Sequence, residues 1–225
     1  MKNVTFIFMS AALLGAAALA GAQTRNWNAL NGAQKHTVDV NAGIEYGATL
    51  GAGYGYHLKA GLPMILNAEF SLPAGNNTAD DFKAKMGAQL RLWQWRSLAV
   101  SVEAQGVFRR YETDYVRLLN FGSDFSGAIG LYLPRWFVAA HAGFDKAIVT
   151  HFKNSELLKE SYPAIKDGWY QPATGGHFYF GLHGGYSLRA LDIYLEAGQI
   201  IEQDFKTAPL LPLYARFGWS LKLRE

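Results

Sequence analysis

The chain has no cysteine, so its fold is built without disulfides, although an exported compartment could permit them. It also lacks a dominant charge. Lys and Arg number 21 against 18 Asp and Glu, a formal net charge of +3 that falls to +2 if Lys2 is removed. That balance is too slight to argue for nucleic acid as a partner. A second long apolar run is missing too: past residues 4–19 no stretch suits a spanning helix. What remains is 225 residues, half of them hydrophobic, with 24 Gly and 14% aromatics. Length alone allows one or two domains.

The N-terminus reads as a secretory signal over residues 1–22. Lys2 gives the positive start, 4–19 the apolar run, and Ala20-Gly21-Ala22 a small-residue cleavage site before Gln23. A retained membrane helix fits less well, because the run is short and rich in small residues. No cysteine follows it, which excludes a lipid-anchored lipoprotein. Residues 23–35 are polar, Asn-rich and without period, and read as a loose N-terminal segment before a domain spanning 36–225.

From His36 the hydrophobic period becomes two. Its clearest form is the stretch 125–144. Phe125, Ile129, Leu131 and Leu133 are odd-numbered; after Pro134 and Arg135, Trp136, Val138, Ala140, Ala142 and Phe144 are even. Strand residues alternate between faces, and directly opposed residues share one. A parity switch across two residues is therefore what a hairpin with one continuous apolar face requires. The stretch 178–197 repeats the pattern around Arg189 and Ala190. Pro134 cannot take positive φ, so its turn is a type I variant or slightly wider.

The same alternation predicts strands over 38–46 and 50–58, joined at Gly47-Ala48-Thr49, then over 64–70, 82–92 and 98–108. Two hairpins and a last strand over 215–223 complete ten. Residues 73–80 are turn chemistry, and 110–123, 147–176 and 201–212 read as outer loops. Within 147–176, Asn154 or Ser155 could cap a short helix over 156–159, ended before Pro163. Tight and long connections alternate, as in barrels with short periplasmic turns and long outer loops. Tyr46, Phe70, Trp136, Phe144, Tyr186 and Trp219 fall near strand ends, where interfacial aromatics belong. The signal, these strands and the terminal strand resemble bacterial outer-membrane β-barrels over nearly the whole mature chain. The resemblance is one of pattern and specifies no subfamily; many such barrels end on an aromatic residue, whereas this chain ends Leu223-Arg224-Glu225. It implies an all-β, antiparallel transmembrane barrel of ten strands (eight to twelve fit), located in the cell outer membrane. It also implies outer-membrane lipid and the outer-membrane assembly machinery as partners.

By this register the inner face carries Asp39, Glu45, Glu69, Glu103, Asp124, Asp145, Asp192 and Glu196 with Lys59, Lys83, Lys85, Arg91, Arg109, Arg216 and Lys222. The two signs nearly cancel, which suits a charge-paired filling better than a selective pore lined by one sign. A charge network of Glu45, Glu69, Lys83, Lys85, Arg91, Glu103, Arg109, Asp124, Asp145, Glu196 and Arg216 is the candidate site. Mates for Glu103 and Arg109 are expected on neighbouring strands such as 83–91. Inward glycines leave either space or tight curvature. A structural barrel or a narrow, gated conduit for small polar solutes is the expected function. Two alternatives stand beside it. One is a hydrolase at the extracellular mouth, drawing on His141, Asp145, His151, His177 or Ser123 with Asp124, though no triad spacing is present. The other is a surface binding protein acting through 147–176. No cofactor, metal or catalytic residue is indicated. The charged run 109–114 reads as a solvated loop or a seat for anionic outer-leaflet lipid.

Overall fold

A computed structural model describes residues 25–29, 34–45, 47–74, 81–171, 176–204, 209 and 211–224. The secretory signal expected over 1–22 and the aromatic Tyr46 lie outside them. The strands are β1 (His36–Ile44), β2 (Ala48–Ala60), β3 (Leu62–Pro73), β4 (Phe82–Trp95), β5 (Leu98–Glu112), β6 (Val116–Tyr132) and β7 (Trp136–Asn154). A one-and-a-half-turn helix α1 (Glu156–Ser161) and a short strand β8 (Gly168–Tyr170) follow, then β9 (Gly176–Ser187), β10 (Leu191–Glu202) and β11 (Leu213–Leu223). Each pairs antiparallel with its neighbour, and β1 pairs with β11, β6 with β7 and β7 with β9. That closes a barrel of ten strands, with β8 attached to the rim of β7. Closure removes every sheet edge inside the wall.

The outward face is apolar. Leu182 is 61% exposed, Leu195 57%, Ile129 52% and Val138 40%. Two aromatic belts bound it. Trp93, Trp95, Trp136, Tyr186 and Trp219 ring the end with the tight turns. At the other end Phe70, Phe82, Phe108, Phe121 and Trp169 form a chain of ring contacts at 5.3, 5.5, 4.7 and 5.8 Å. From Trp136 to Phe144 the strand rises roughly 26 Å along its own axis, the scale of an outer-membrane apolar band.

Two hairpin loops follow the parity argument. Leu133 N donates to Trp136 O at 2.8 Å and Leu188 N to Leu191 O at 2.7 Å, each enclosing two residues. Among described non-glycine residues only Arg96 has positive φ, so neither loop is a primed turn. Three boundaries differ from the sequence reading. The loop expected over 110–123 is strand: β5 runs to Glu112 and β6 begins at Val116. The loop expected over 147–176 begins as strand too, because β7 continues to Asn154. Strand four does not end at Leu92 but reaches Trp95. The physical reason is the same for the last two. A bulge at Leu92 and another at Ile148 each insert one residue, so the apolar parity switches in mid-strand and mimics a strand end. After the first, Trp93 and Trp95 rejoin the outer face.

The helix is capped by Ser155, whose side chain accepts from Leu158 N at 3.2 Å. The segment beyond it is tied back by Asp167. That carboxylate accepts from Asn154 N at 2.8 Å and Nδ2 at 3.1 Å, and lies 3.1 Å from Lys159 Nζ. The Asn154 backbone hydrogen bond, then Lys159, holds the Asp167 carboxyl below its ordinary range. A depressed folded pKa contributes order above the unfolded value of about 3.9, lost as pH falls through the folded one. The rim segment should therefore be protease-resistant at neutral pH and become cleavable below roughly pH 4. Asp167→Asn should abolish that acid dependence; an unchanged profile would refute the assignment.

Candidate functional site

The bore is filled in two layers. The one nearest the tight turns is apolar: Ile65, Ala99, Tyr132, Phe137, Ala139 and Tyr194 close around Trp27, which is 5% exposed. Where the sequence shows only a loose, aperiodic segment over 23–35, the structure buries Arg25, Asn26, Trp27 and Gln34 in or against this end of the barrel. Asn26 Nδ2 donates to Leu133 O at 2.7 Å and to Ser187 Oγ at 2.9 Å, joining two of the tight turns. Arg25 Nη1 donates to His57 Nε2 at 2.8 Å and lies within electrostatic reach of Asp39, Glu103 and Glu69. The guanidinium of Arg91 sits over the Trp27 ring at 5.5 Å.

Above this lies the charged layer. Lys83 Nζ reaches Glu45 at 2.6 Å, Lys85 reaches Asp124 at 2.5 Å, and Arg109 pairs with Asp145. Arg216 is 3.7 Å from Glu196, whose other oxygen is 3.2 Å from His141 Nε2. Lys222 holds Asp192 at 2.6 Å near the tight-turn end. Two acids take neutral donors instead: Glu69 accepts from Gln105 at 3.0 Å, and Glu103 from Asn67. Tyr179 donates to Asp124 and Tyr194 to Asp39, each at 2.7 Å.

The mates of Glu103 and Arg109 are not on the 83–91 strand. Asn67 belongs to β3 and Asp145 to β7, each two strands away. Glu69 opposes Lys85 and Glu196 opposes Arg216, but other directly opposed positions place like with like, Lys83 beside Arg109 and Asp124 beside Asp145. Such pairs are unfavourable. Inter-strand spacing is about 4.8 Å, so a Lys or Arg stem clears one strand and reaches the acid on the next. Periodicity in the sequence identifies which residues face inward, but the choice of partner depends on barrel curvature.

Gly218 and Gly143 do not leave space in the bore. A Cβ on Gly218 would lie 2.5 Å from the Tyr194 ring, and one on Gly143 would lie 2.4 Å from the Tyr179 ring. Each of these two glycines makes room for the ring of the residue directly opposed to it on the paired strand. Gly218→Ala should cost about 1–3 kcal/mol by overpacking, read as a lower unfolding midpoint in lipid vesicles; no change would mean the ring can move aside. With these slots filled, the cavity among Lys85, Asp124, Asp145, His177, Tyr179 and Arg216 measures about 40 Å³, room for a few waters. At the outer mouth a vestibule of about 210 Å³ opens above Glu45, Lys83 and Tyr111.

The hydrolase candidates are dispersed. Ser123 and Asp124 are consecutive on β6 and face opposite sides of the wall. His151 packs on Trp169 at 4.8 Å, outside the barrel. His141 contacts Glu196 and the Tyr214 hydroxyl, 2.6 Å away, and His177 Nε2 is 3.7 Å from Asp145. Among the described residues no His, Asp and Glu group is placed to hold a metal ion. Lys59 is in β2, and its side chain is not described.

An apolar belt between two aromatic girdles, around a charge-paired interior, defines an integral outer-membrane β-barrel. No protein-family model and no curated protein matches the chain. Among solved structures it is similar to KdgM porin in complex with disordered oligogalacturonate, at 10% identity and a TM-score of 0.43, over 84% of this chain and 99% of that one. A second structure of KdgM porin aligns at 9% identity with the same TM-score and coverage.

Proposed function

We propose that this barrel is a conduit for small polar solutes that is shut at rest, with the segment around Arg25–Trp27 as its closure. The observation that carries this reading is the burial of that segment: Asn26 is fully enclosed and Trp27 completes the apolar layer across the bore. A barrel meant only as a wall could fill this layer from its own strands. Here part of the filling comes from a segment outside the wall, tethered mainly by hydrogen bonds, and such a piece can leave without breaking the barrel.

Planar-bilayer recording tests this. The intact mature protein should be silent or nearly so. Deletion of residues 25–29, or Trp27→Ala combined with Arg25→Gln, should produce sustained openings while the barrel keeps its heat-modifiable gel mobility. Large steady conductance from the intact protein would make it an open pore. Silence from every folded variant would make it a structural barrel.

A further inference from the structure

On the outer face, above the aromatic belt, the wall changes character. Arg110 on β5, Arg117 on β6 and Lys153 on β7 project from adjacent strands over Phe108, Phe121 and Trp169. Arg117 is directly opposed to Lys153 across the β6–β7 ladder, and to Glu112 across the β5–β6 ladder. Glu112 engages both arginines: Arg117 Nε and Nη2 reach its oxygens at 2.9 Å, and Arg110 contacts it as well. Lys153 is exposed and has no carboxylate within ion-pair distance among the described residues. Two cations placed face to face repel unless an anion lies between them. Beside them is a groove of about 450 Å³, lined by Glu112, Thr113, Asp114, Arg117, Lys153 and Asn154 among others.

We propose that this rim seats the phosphomonoester of an acylated outer-leaflet lipid, with Lys153 and Arg117 as its main ligands. Position favours the lipid over free phosphate. Aromatic belts mark the level at which acyl chains give way to headgroups, and these cations stand one to two residue pairs above that level on the lipid-facing side. Arginine and lysine beside a polar groove supply charge-assisted donors for phosphate oxygens. Asp114 on the groove edge opposes binding, and Glu112 competes with phosphate for the arginines. The proposal rests on the outer-membrane placement of the barrel and is independent of its closure.

The test uses full-length mature protein, released from vesicles and analysed by native mass spectrometry for retained lipid. The probes are bis-phosphorylated lipid A, the same lipid with its phosphates removed, and inorganic phosphate as competitor. The intact protein should retain the phosphorylated lipid preferentially. Lys153→Gln should weaken retention about tenfold, the worth of one charged hydrogen bond, and Lys153→Arg should restore it. Glu112→Gln should strengthen it by removing the carboxylate that competes with phosphate, and Lys166→Gln, in the rim segment, should leave it unchanged. Because Glu112→Gln and Lys153→Gln move in opposite directions, a general loss of folding cannot imitate the pattern. Equal retention of the phosphate-free lipid, or an unaffected Lys153→Gln, would overturn the proposal. So would displacement by equimolar inorganic phosphate, which would assign the site to the free ion. Bilayer conductance reads the closure separately, so either idea can fail alone.

Discussion

Asp145→Ala is expected to lower unfolding stability in lipid vesicles by about 3–5 kcal/mol, the cost of leaving a buried charge without its partner. Arg109 is 8% exposed and Asp145 2%. Without the carboxylate the guanidinium keeps, among the described residues, the hydrogen bond to Asn120, whose oxygen accepts from Nη1 at 3.1 Å, and it stands directly opposite Lys83. Relief of the opposition between Asp124 and Asp145 offsets part of this loss, since those two face each other on adjacent strands. The desolvation cost is larger, because among the described residues Arg109 has no second carboxylate within ion-pair distance and only the more distant Glu45 offsets its charge. Arg109→Met with Asp145→Leu together should recover most of the stability, as replacing a buried pair by apolar groups is often neutral. If Asp145→Ala alone stays within about 1 kcal/mol of the intact protein, the lumen is wet enough to screen its charges, and the closed reading of the bore fails with it.

Leu182→Arg should cost about 2–4 kcal/mol, the penalty for a cation near the membrane midplane on a barrel exterior. Leu182 is midway between Phe178 and Tyr186 on the outward face of β9 and is 61% exposed. Leu157 in α1 is 57% exposed, almost the same, yet Leu157→Arg should fall within about 0.5 kcal/mol, as surface changes in water do. The contrast isolates the solvent from the accessibility. Vesicle-refolding titrations on both variants give the comparison directly. Near-equal, small effects would mean that the apolar exterior faces something other than lipid.

The amino-acid sequence was enough to determine the barrel. Alternation is a local property: a residue's side of a strand follows from its position two residues from the last. So the ten strands, the two-residue turn at Pro134-Arg135, a short helix capped at Asn154 or Ser155 and the inward placement of Asp145 and Glu196 could be read without coordinates; the structure selects Ser155 as the cap. The local rule failed where one residue was added. At Leu92 and Ile148 a bulge reverses parity, and the strand beyond looks like loop. It failed also above the membrane, where Arg110, Glu112 and Arg117 face outward on regular strands. Outside hydrocarbon an outward position need not be apolar, so the strand loses the signature by which it is recognised.

Only the tertiary structure decided what fills the barrel. Lys85 reaches Asp124 across β5, and Arg109 reaches Asp145 across β6, because side-chain length and curvature select the second neighbour over the first. Tyr194 over Gly218 and Tyr179 over Gly143 are directly opposed pairs on successive wall strands joined by long connections, so the register between those strands decides them and no two-residue turn fixes it. Least legible was Trp27. One aromatic in an Asn-rich stretch has no partner to alternate with, and its burial depends on a closed ring of strands existing first. Face is set by the dihedral geometry of consecutive residues, which is written in order along the chain. Partnership and closure are set by distances through the bore, which exist only after the first strand has met the last.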